Sequence, residues 1–427
     1  MFEFLDRFVT RTQRFIRIAV VAMALCAAGL PAAAQETAVE LNTQGVELYN
    51  AGQWDDAVSS FRAAYELNPE NDTIRRNLCN AYQSQADAWA KDARLGDACQ
   101  ALEIAVQVDA NNVSPLIQLA SYYLRLNETQ SAIFRLEEAV QLAPDNLDAR
   151  DLLGDAYHQA NDLAAALAQW LEVQETQPNR PRLKEKIETA LRQESVESKF
   201  KQATSRHFEI SFAPETSPSD RRRVLTILEQ AYRDIGRKFG NVYPEQTVHV
   251  LIYTADSFAE STGIGSHVGA LYDGKIRAPI SDANGNLLPD EEMRRRLYHE
   301  YTHAVIRYLL EDRVPWWLNE GLAETFSREF SADDNVRYLA ALESGQLPAL
   351  STMESNQLEV RSETELPIAY LQAFACTSYL WEKFGQRSLI TFIDNLGAGE
   401  SFEDALKLTY RRDYNSLMKE VSSAARR

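Results

Sequence analysis

His299-Glu300-Tyr301-Thr302-His303 is followed sixteen residues later by Asn319-Glu320-Gly321. On a helix, residues four apart share a face and lie roughly 6 Å apart along the axis, so both imidazoles reach a single ion. Two histidines and one carboxylate fill three of the four tetrahedral positions that zinc prefers, with Zn–N bonds of about 2.0–2.1 Å, and leave the fourth to water. Glu300, next to the first histidine, is placed as the base that takes a proton from that water rather than as a ligand. Leu297, Tyr298, Tyr301, Thr302, Ala304 and Val305 are uncharged, as a helix beneath a cleft requires, and Asp290, Glu291 and Glu292 give it an acidic start. Taken alone, the five residues also fit two ordinary histidines on a core or surface helix. The second segment weighs against that: Pro315 through Glu324 reads as another helix beginning near a proline and carrying two acids four apart, Glu320 and Glu324, either of which completes a metal site.

At these residues the chain resembles the gluzincin metallopeptidases, in which HExxH is followed by a helix bearing N-E-G or N-E-A. The resemblance implies Zn²⁺ as cofactor, His299, His303 and Glu320 as its ligands, and Glu300 as the catalytic base. It also places Glu324 where relatives hold an acid that hydrogen-bonds a ligand histidine and fixes its tautomer. The alternative is that Glu324 itself binds the metal.

Residues 1–34 carry Arg7, Arg11, Arg14 and Arg17, an apolar run from Ile18 to Leu30, and Pro31-Ala32-Ala33-Ala34 before Gln35. This is the pattern of a signal peptide with an A-x-A cleavage site, and the apolar run is short for a membrane span. Leu25 precedes Cys26 where a lipobox requires a small residue, which argues against lipidation. The expectation is an exported protein, most simply periplasmic, and membrane-associated only if the leader stays uncleaved. The net charge of −18 becomes about −20 without the leader, whose four arginines face only Glu3 and Asp6. Such acidity argues against nucleic acid as a partner and fits plain solubility. Cys79, Cys99 and Cys376 remain after cleavage, an odd number, with a Cys79–Cys99 disulfide and two buried thiols as the alternatives.

Residues 36–180 repeat. In 34-residue units starting at Ala38, Val113 and Leu147, a small residue recurs at Ala57, Ala132 and Ala166 and a closing proline at Pro69, Pro144 and Pro178. The unit over 72–112 is seven residues longer and keeps Ala98 and Ala105 in phase. Gly45 and Gly154 stand where two helices approach closely, and Phe61 and Trp170 where a bulky side chain fills the seam. The pattern resembles four tetratricopeptide (TPR) repeats, which implies a protein partner bound through the concave face. Residues 181–203 read as a capping and linker helix.

From 204 to 285 the texture is that of a small α+β subdomain: strands at His207–Phe212, Val248–Tyr253 and Val268–Tyr272, a turn at Asp273-Gly274 before Lys275-Ile276-Arg277, and a helix over Ser219–Phe239. Ser281 to Asn286 is a loop by composition. Gluzincins have such a sheet before the metal helix, with an edge strand that pairs with the peptide substrate, and Val268–Tyr272 is assigned that edge. The metal helices occupy 286–330, and 331–427 reads as a helical lobe with an aromatic-rich helix ending near Phe384-Gly385. By the same resemblance, a tyrosine of this lobe stabilises the oxyanion: Tyr370, with Tyr379 next. Of the other histidines, His158, His207 and His249 read as structural, and only His267 lies near the proposed cleft.

The whole arrangement resembles bacterial fusions of these repeats to a peptidase-MA-like domain. The expected fold is thus an α-helical TPR solenoid followed by an α+β gluzincin-like metallopeptidase domain. Gly269-Ala270-Leu271-Tyr272-Asp273 stands where aminopeptidases have Gly-Ala-Met-Glu-Asn, which puts aminopeptidase activity in doubt and favours an endopeptidase. The expected function is an exported zinc-dependent hydrolase of peptide bonds whose repeats recruit a protein substrate or partner. The rival is a non-catalytic scaffold with a degenerate peptidase-like domain.

Overall fold

A computed structural model describes residues 32–92, 94–263, 270–311, 313–355 and 365–427. Most of the expected leader lies outside these residues, as do His267 and the Val268-Gly269 start of the proposed edge strand. No helix among the described residues is long and apolar enough to cross a membrane.

The chain divides into two compact units, 1–118 and 119–427. In the first unit, helices pair as α1 (Ala32–Asn50) with α2 (Trp54–Leu67), and α3 (Asp72–Lys91) with α4 (Leu95–Val108). The repeat pattern has its physical reasons here. Ala57, Ala98 and Ala105 are wholly buried, and a Cβ on Gly45 would stand 2.6 Å from the Phe61 ring. Asn71 opens α3 by accepting the backbone N–H groups of Thr73 and Ile74. The longer second repeat follows from its first helix, α3, with 20 residues where the first helices of the next two repeats, Val113–Arg125 and Leu147–Gln159, have 13. Cys79 and Cys99 are both buried and no disulfide joins them, which leaves the alternative of two buried thiols. Asn112 Nδ2 lies 3.4 Å from Cys79 Sγ, and burial pushes that thiol up to about 11.

The second unit begins within α5 (Val113–Arg125) and continues through α6 (Thr129–Leu142), α7 (Leu147–Gln159) and α8 (Leu163–Thr176). Ala132, Ala156 and Ala166 are wholly buried in the seams, and the Trp170 ring occupies the space a Cβ on Gly154 would need. Helix α9 (Leu183–Glu197) lays Leu183, Ile187 and Ala190 on Ala166, Trp170 and Val173, and Arg180 and Lys186 bind Asp151 of α7 at 2.7 and 2.9 Å.

The sheet has the order β1-β2-β3-β5-β4, formed by Lys201–Thr204, Phe208–Phe212, Val248–Tyr253, Ile276–Pro279 and, at the far edge, Leu271–Tyr272. Its three central strands are parallel, and each outer strand is antiparallel to its neighbour. The sheet therefore starts before residue 204: β1 pairs Lys201 with Phe212 inside the stretch read as linker. Its Lys-Gln-Ala-Thr sequence is mostly exposed and carries no alternation to mark a strand. Phe208, Ile210 and Phe212 point to one face, where they share a core with Val224, Leu228 and Ala231 of α10 (Pro218–Lys238) and Leu297 and Tyr301 of α12 (Asp290–Leu310). Between β3 and β4 lies α11 (Ala255–Thr262). The rest is helical: α13 (Trp316–Ser327), α14 (Ala332–Glu343), α15 (Glu365–Gly397), α16 (Phe402–Tyr410) and α17 (Tyr414–Ala425), with one 3₁₀ turn at Leu350–Met353. Helix α15 breaks at Gly385, whose φ of 72° only glycine adopts readily.

Candidate metal centre and cleft

Helix α12 buries Leu297, Tyr301 and Val305 beneath the sheet. The rotation of the helix then turns His299, Glu300 and His303 toward a cavity of about 580 Å³. Helix α13 begins after Pro315, whose extended backbone sets the turn into Trp316. Trp317 and Leu318 anchor it in the core. Gly321 permits a close helix contact, because a Cβ there would lie 2.6 Å from the carbonyl oxygen of Ala373 and from Thr377. Only a residue without a side chain lets α13 approach α15 so closely, and its neighbour Glu320 is thereby held against α12.

The result is a triad. Oε2 of Glu320 stands 3.5 Å from Nε2 of His299 and 3.5 Å from Nε2 of His303. These distances are too long for strong hydrogen bonds, and Glu320 Oε2 is buried without a hydrogen-bond partner. They are close to the roughly 3.4 Å that separates two ligands of a tetrahedral zinc with bonds of about 2.1 Å. His299, His303 and Glu320 form the group of donors among the described residues that can hold a metal ion. The electrostatics agree with a cation there. Burial alone would lower the His303 pKa, but the Glu320 carboxylate raises it to about 9. Burial alone would likewise raise that of Glu320, but the two imidazoles hold it far below the usual range.

Each imidazole also meets a side chain on its outer side. Asn319 Oδ1 lies 3.0 Å from Nδ1 of His303, so Nδ1–H donates to it and Nε2 keeps a lone pair for the centre. Glu324 Oε1 faces Nδ1 of His299 at 3.6 Å. Its other oxygen accepts from Arg328 at 2.6 Å, and Arg328 is in turn tied to the buried Asp334. Glu324 therefore stands behind His299 and not among the converging donors.

Glu300 lines the same cavity with its residue 5% exposed, and burial pushes its carboxyl above the usual range. Tyr370 of α15 lines it too, its ring set edge-on to Trp316 at 4.9 Å. Burial, and then the carboxylates of Glu320, Glu300 and Glu324, raise the phenol well above its ordinary range, so it remains a donor. Tyr379 points elsewhere: its hydroxyl donates to Glu420 at 2.9 Å. The described part of the expected edge strand, Leu271 and Tyr272, is the sheet edge and a wall of the cavity. His207 pairs with Glu229 of α10 at 2.8 Å, and His249 of β3 with Glu209 of β2 at 3.2 Å.

Three features lie beyond the sequence reading. Asn319 belongs to the recognised triplet, yet nothing in the spacing gave it the Nδ1 of His303. Lys275 and Arg277, read only as the stretch that follows the Asp273-Gly274 turn, are 1% and 0% exposed. Asn127, from a repeat turn, and Gln159, the last residue of α7, line the same cavity, and no local pattern marks them.

Comparison with known proteins bears on both parts of the chain. Residues 42–112 and 117–181 match the tetratricopeptide repeat model, and residues 291–425 match that of the Peptidase MA superfamily. The chain is 28% identical over 112 residues to sperm-associated antigen 1 of Mus musculus, covering 26% of this chain and 12% of that protein. It is 31% identical over 121 residues to the TPR repeat-containing thioredoxin TTL4 of Arabidopsis thaliana, covering 28% of this chain and 17% of that one. It thus spans less than a fifth of the length of either relative. Among solved structures, a tetratricopeptide repeat protein from Parabacteroides merdae is similar at 15% identity and a TM-score of 0.31, over 92% of this chain and 100% of that one. The chain carries tetratricopeptide repeats followed by a C-terminal domain of the Peptidase MA superfamily.

Proposed function

We propose that this chain is an exported zinc peptidase, most simply periplasmic, that hydrolyses internal peptide bonds, with repeats that engage a protein substrate or partner. The observation that carries the reading is the convergence of Nε2 of His299, Nε2 of His303 and Oε2 of Glu320, beside a buried Glu300 in the same cavity. His299, His303 and Glu320 would hold the ion, with Asn319 and Glu324 fixing the two rings from behind. When bound, the ion lowers the pKa of a coordinated water and polarises the scissile carbonyl.

The remaining steps belong to side chains. Glu300, whose burial raises its affinity for a proton, takes as the carboxylate the proton of the attacking water and delivers it to the departing amine nitrogen. Tyr370, kept protonated by its surroundings, donates a hydrogen bond to the oxygen that gains negative charge. Leu271 and Tyr272 offer the strand edge along which an extended peptide lies. A scaffold has no use for a buried carboxylate beside such a triad.

The test is a zinc-loaded preparation assayed on an internally quenched peptide library. Glu300→Gln should retain zinc and lose hydrolysis, whereas His303→Ala should lose both. Hydrolysis that survives Glu300→Gln removes the general base, and absence of any hydrolysis by the zinc-loaded wild type returns the scaffold.

A further inference from the structure

The repeats meet the cleft in an unexpected way. Asn127 closes the turn between the helices of the third repeat, and Asn161, 34 residues on, closes that of the fourth; both adopt the left-handed backbone that Asn tolerates, with φ of 60° and 64°. The two turns differ in what they meet. In the fourth, the backbone oxygen of His158, at the C-terminal end of α7, accepts from the fully buried Lys275 Nζ at 2.7 Å, and Asn161 Oδ1 accepts from the same ammonium at 2.9 Å. Burial pulls Lys275 down to about 7, and its two hydrogen bonds at the end of α7 clamp the β4–β5 hairpin to the repeat. In the third, the side chain faces the cavity. Gln159 Nε2 donates to Asn127 Oδ1 at 2.8 Å, and both residues line the cavity that holds His299, Glu300 and Tyr370.

That internal bond uses one donor and one acceptor of the pair. Among the described residues, Asn127 Nδ2 and Gln159 Oε1 have no partner. An amide donor on the turn of the third repeat and a carbonyl acceptor on the last residue of α7, side by side through their own hydrogen bond, are the complement of a peptide main chain. Their position is also telling. A second cavity of about 600 Å³ shares Asn127, Gln159, Tyr272, Gly274, Arg307 and Glu311 with the first, so the amide pair stands at the waist between the metal chamber and a chamber beyond. A peptide extended along β4 advances about 3.3 Å per residue and must cross that waist within a few residues of the centre.

Resting on the peptidase reading above, we infer that the Asn127–Gln159 pair is a subsite for the main chain of an extended peptide, a few residues from the scissile bond. The repeats then build a wall of the cleft and discriminate by peptide length rather than by side chain.

The full zinc-loaded chain, wild type and Asn127→Ala/Gln159→Ala, is titrated with acetohydroxamate and with peptide hydroxamates extended by one to four alanines on either side of the chelating group. The wild type should bind tighter as one series lengthens, and the double variant should lose about tenfold for the longest compound, since two neutral hydrogen bonds are worth about that, while binding acetohydroxamate as before. Equal affinities of the two proteins for the long compounds overturn the subsite. Failure of acetohydroxamate to bind the zinc-loaded wild type overturns the peptidase reading instead, and the subsite with it. Should the double variant not fold, Asn127→Asp keeps the acceptor for Gln159 and removes only the cleft donor, and the same comparison decides.

Discussion

Asn319 Oδ1 accepts from Nδ1 of His303 at 3.0 Å, and the next residue, Glu320, faces Nε2 of the same ring at 3.5 Å. Adjacent residues of one helix thus address both nitrogens of one imidazole. An imidazole whose outer nitrogen is anchored presents its Nε2 to the centre in a fixed orientation. Asn319→Ala should therefore weaken zinc binding by about 10–100-fold with the fold intact. Competition against a chromophoric chelator measures this directly, and an unchanged zinc affinity would show that Asn319 only packs.

Gly321 is fixed by contact with backbone, not by its own torsion angles. A methyl group there meets the Ala373 carbonyl oxygen at 2.6 Å, an atom that moves only if α15 moves. Gly321→Ala should cost about 1–3 kcal/mol of stability, the usual range for overpacking, and should lower zinc affinity because Glu320 rides on the displaced helix. Urea unfolding of the apo and zinc-loaded forms reads both effects; a variant as stable as the wild type would mean that α15 gives way freely.

How much of this was legible depends on the range of the interaction. The metal donors were readable because two of them lie four residues apart on one helix and the third follows in a recognisable triplet. The repeat seams were readable because Ala57, Ala132 and Ala166 recur in phase. Strand β1 was not, since Lys201–Thr204 carries no burial pattern. Nor were Lys275 and Arg277: Arg277 meets Asp273 nearby, but their other partners His158, Asn161 and Glu197 lie 80 to 117 residues away in sequence. Local patterns report a residue's own helix or strand, and a buried charge is specified by whatever distant group meets it.

Tyr370 and Tyr379 separate on geometry, because the first lines the metal cavity and the second donates to Glu420. Tyr370→Phe should lower kcat by about 10²-fold with KM little changed, as removal of a donor that acts only on developing charge does. Tyr379→Phe should leave turnover intact. Steady-state kinetics on one peptide found in the library screen compares the three proteins, and equal kcat for wild type and Tyr370→Phe would exclude the role.

His158 gives the second unit a predictable weakness in acid. Its Nε2 lies 2.7 Å from Gln193 Oε1, and burial, followed by the charge of Lys275, holds its pKa down at about 4. An unfolded imidazole titrates near 6.5, so between roughly pH 6.5 and 4 the unfolded chain binds a proton that the folded chain refuses. Stability must fall as pH falls through that window, by at most about 3 kcal/mol from this residue, and above it the residue contributes no pH dependence. His158→Gln should lose less stability between pH 7 and pH 5 than the wild type. Urea midpoints at the two pH values check this, and equal losses would contradict it.

Glu197 closes the cluster that holds the cleft hairpin. Its Oε1 accepts from Arg277 at 2.6 Å, from Tyr253 at 2.8 Å and from Ser261 at 2.7 Å, and Arg277 reaches Asp273 at 3.0 Å. With Arg277 wholly buried, removing the carboxylate strands a guanidinium that Asp273 alone must balance. Glu197→Ala should therefore cost about 3–5 kcal/mol, as breaking a buried ion pair from one side does, whereas Glu197→Gln keeps an acceptor and should cost less. Arg277→Met placed on Glu197→Ala should recover part of the loss, since the stranded charge goes with it. The metal helices are anchored through Leu297, Tyr301 and Trp317, away from this cluster, so zinc stoichiometry should hold in every folded variant. Urea unfolding of the two single variants and the double variant gives the coupling. Additive losses would mean that Glu197 and Arg277 stabilise the hairpin independently, and that the repeats hold it through Lys275 alone.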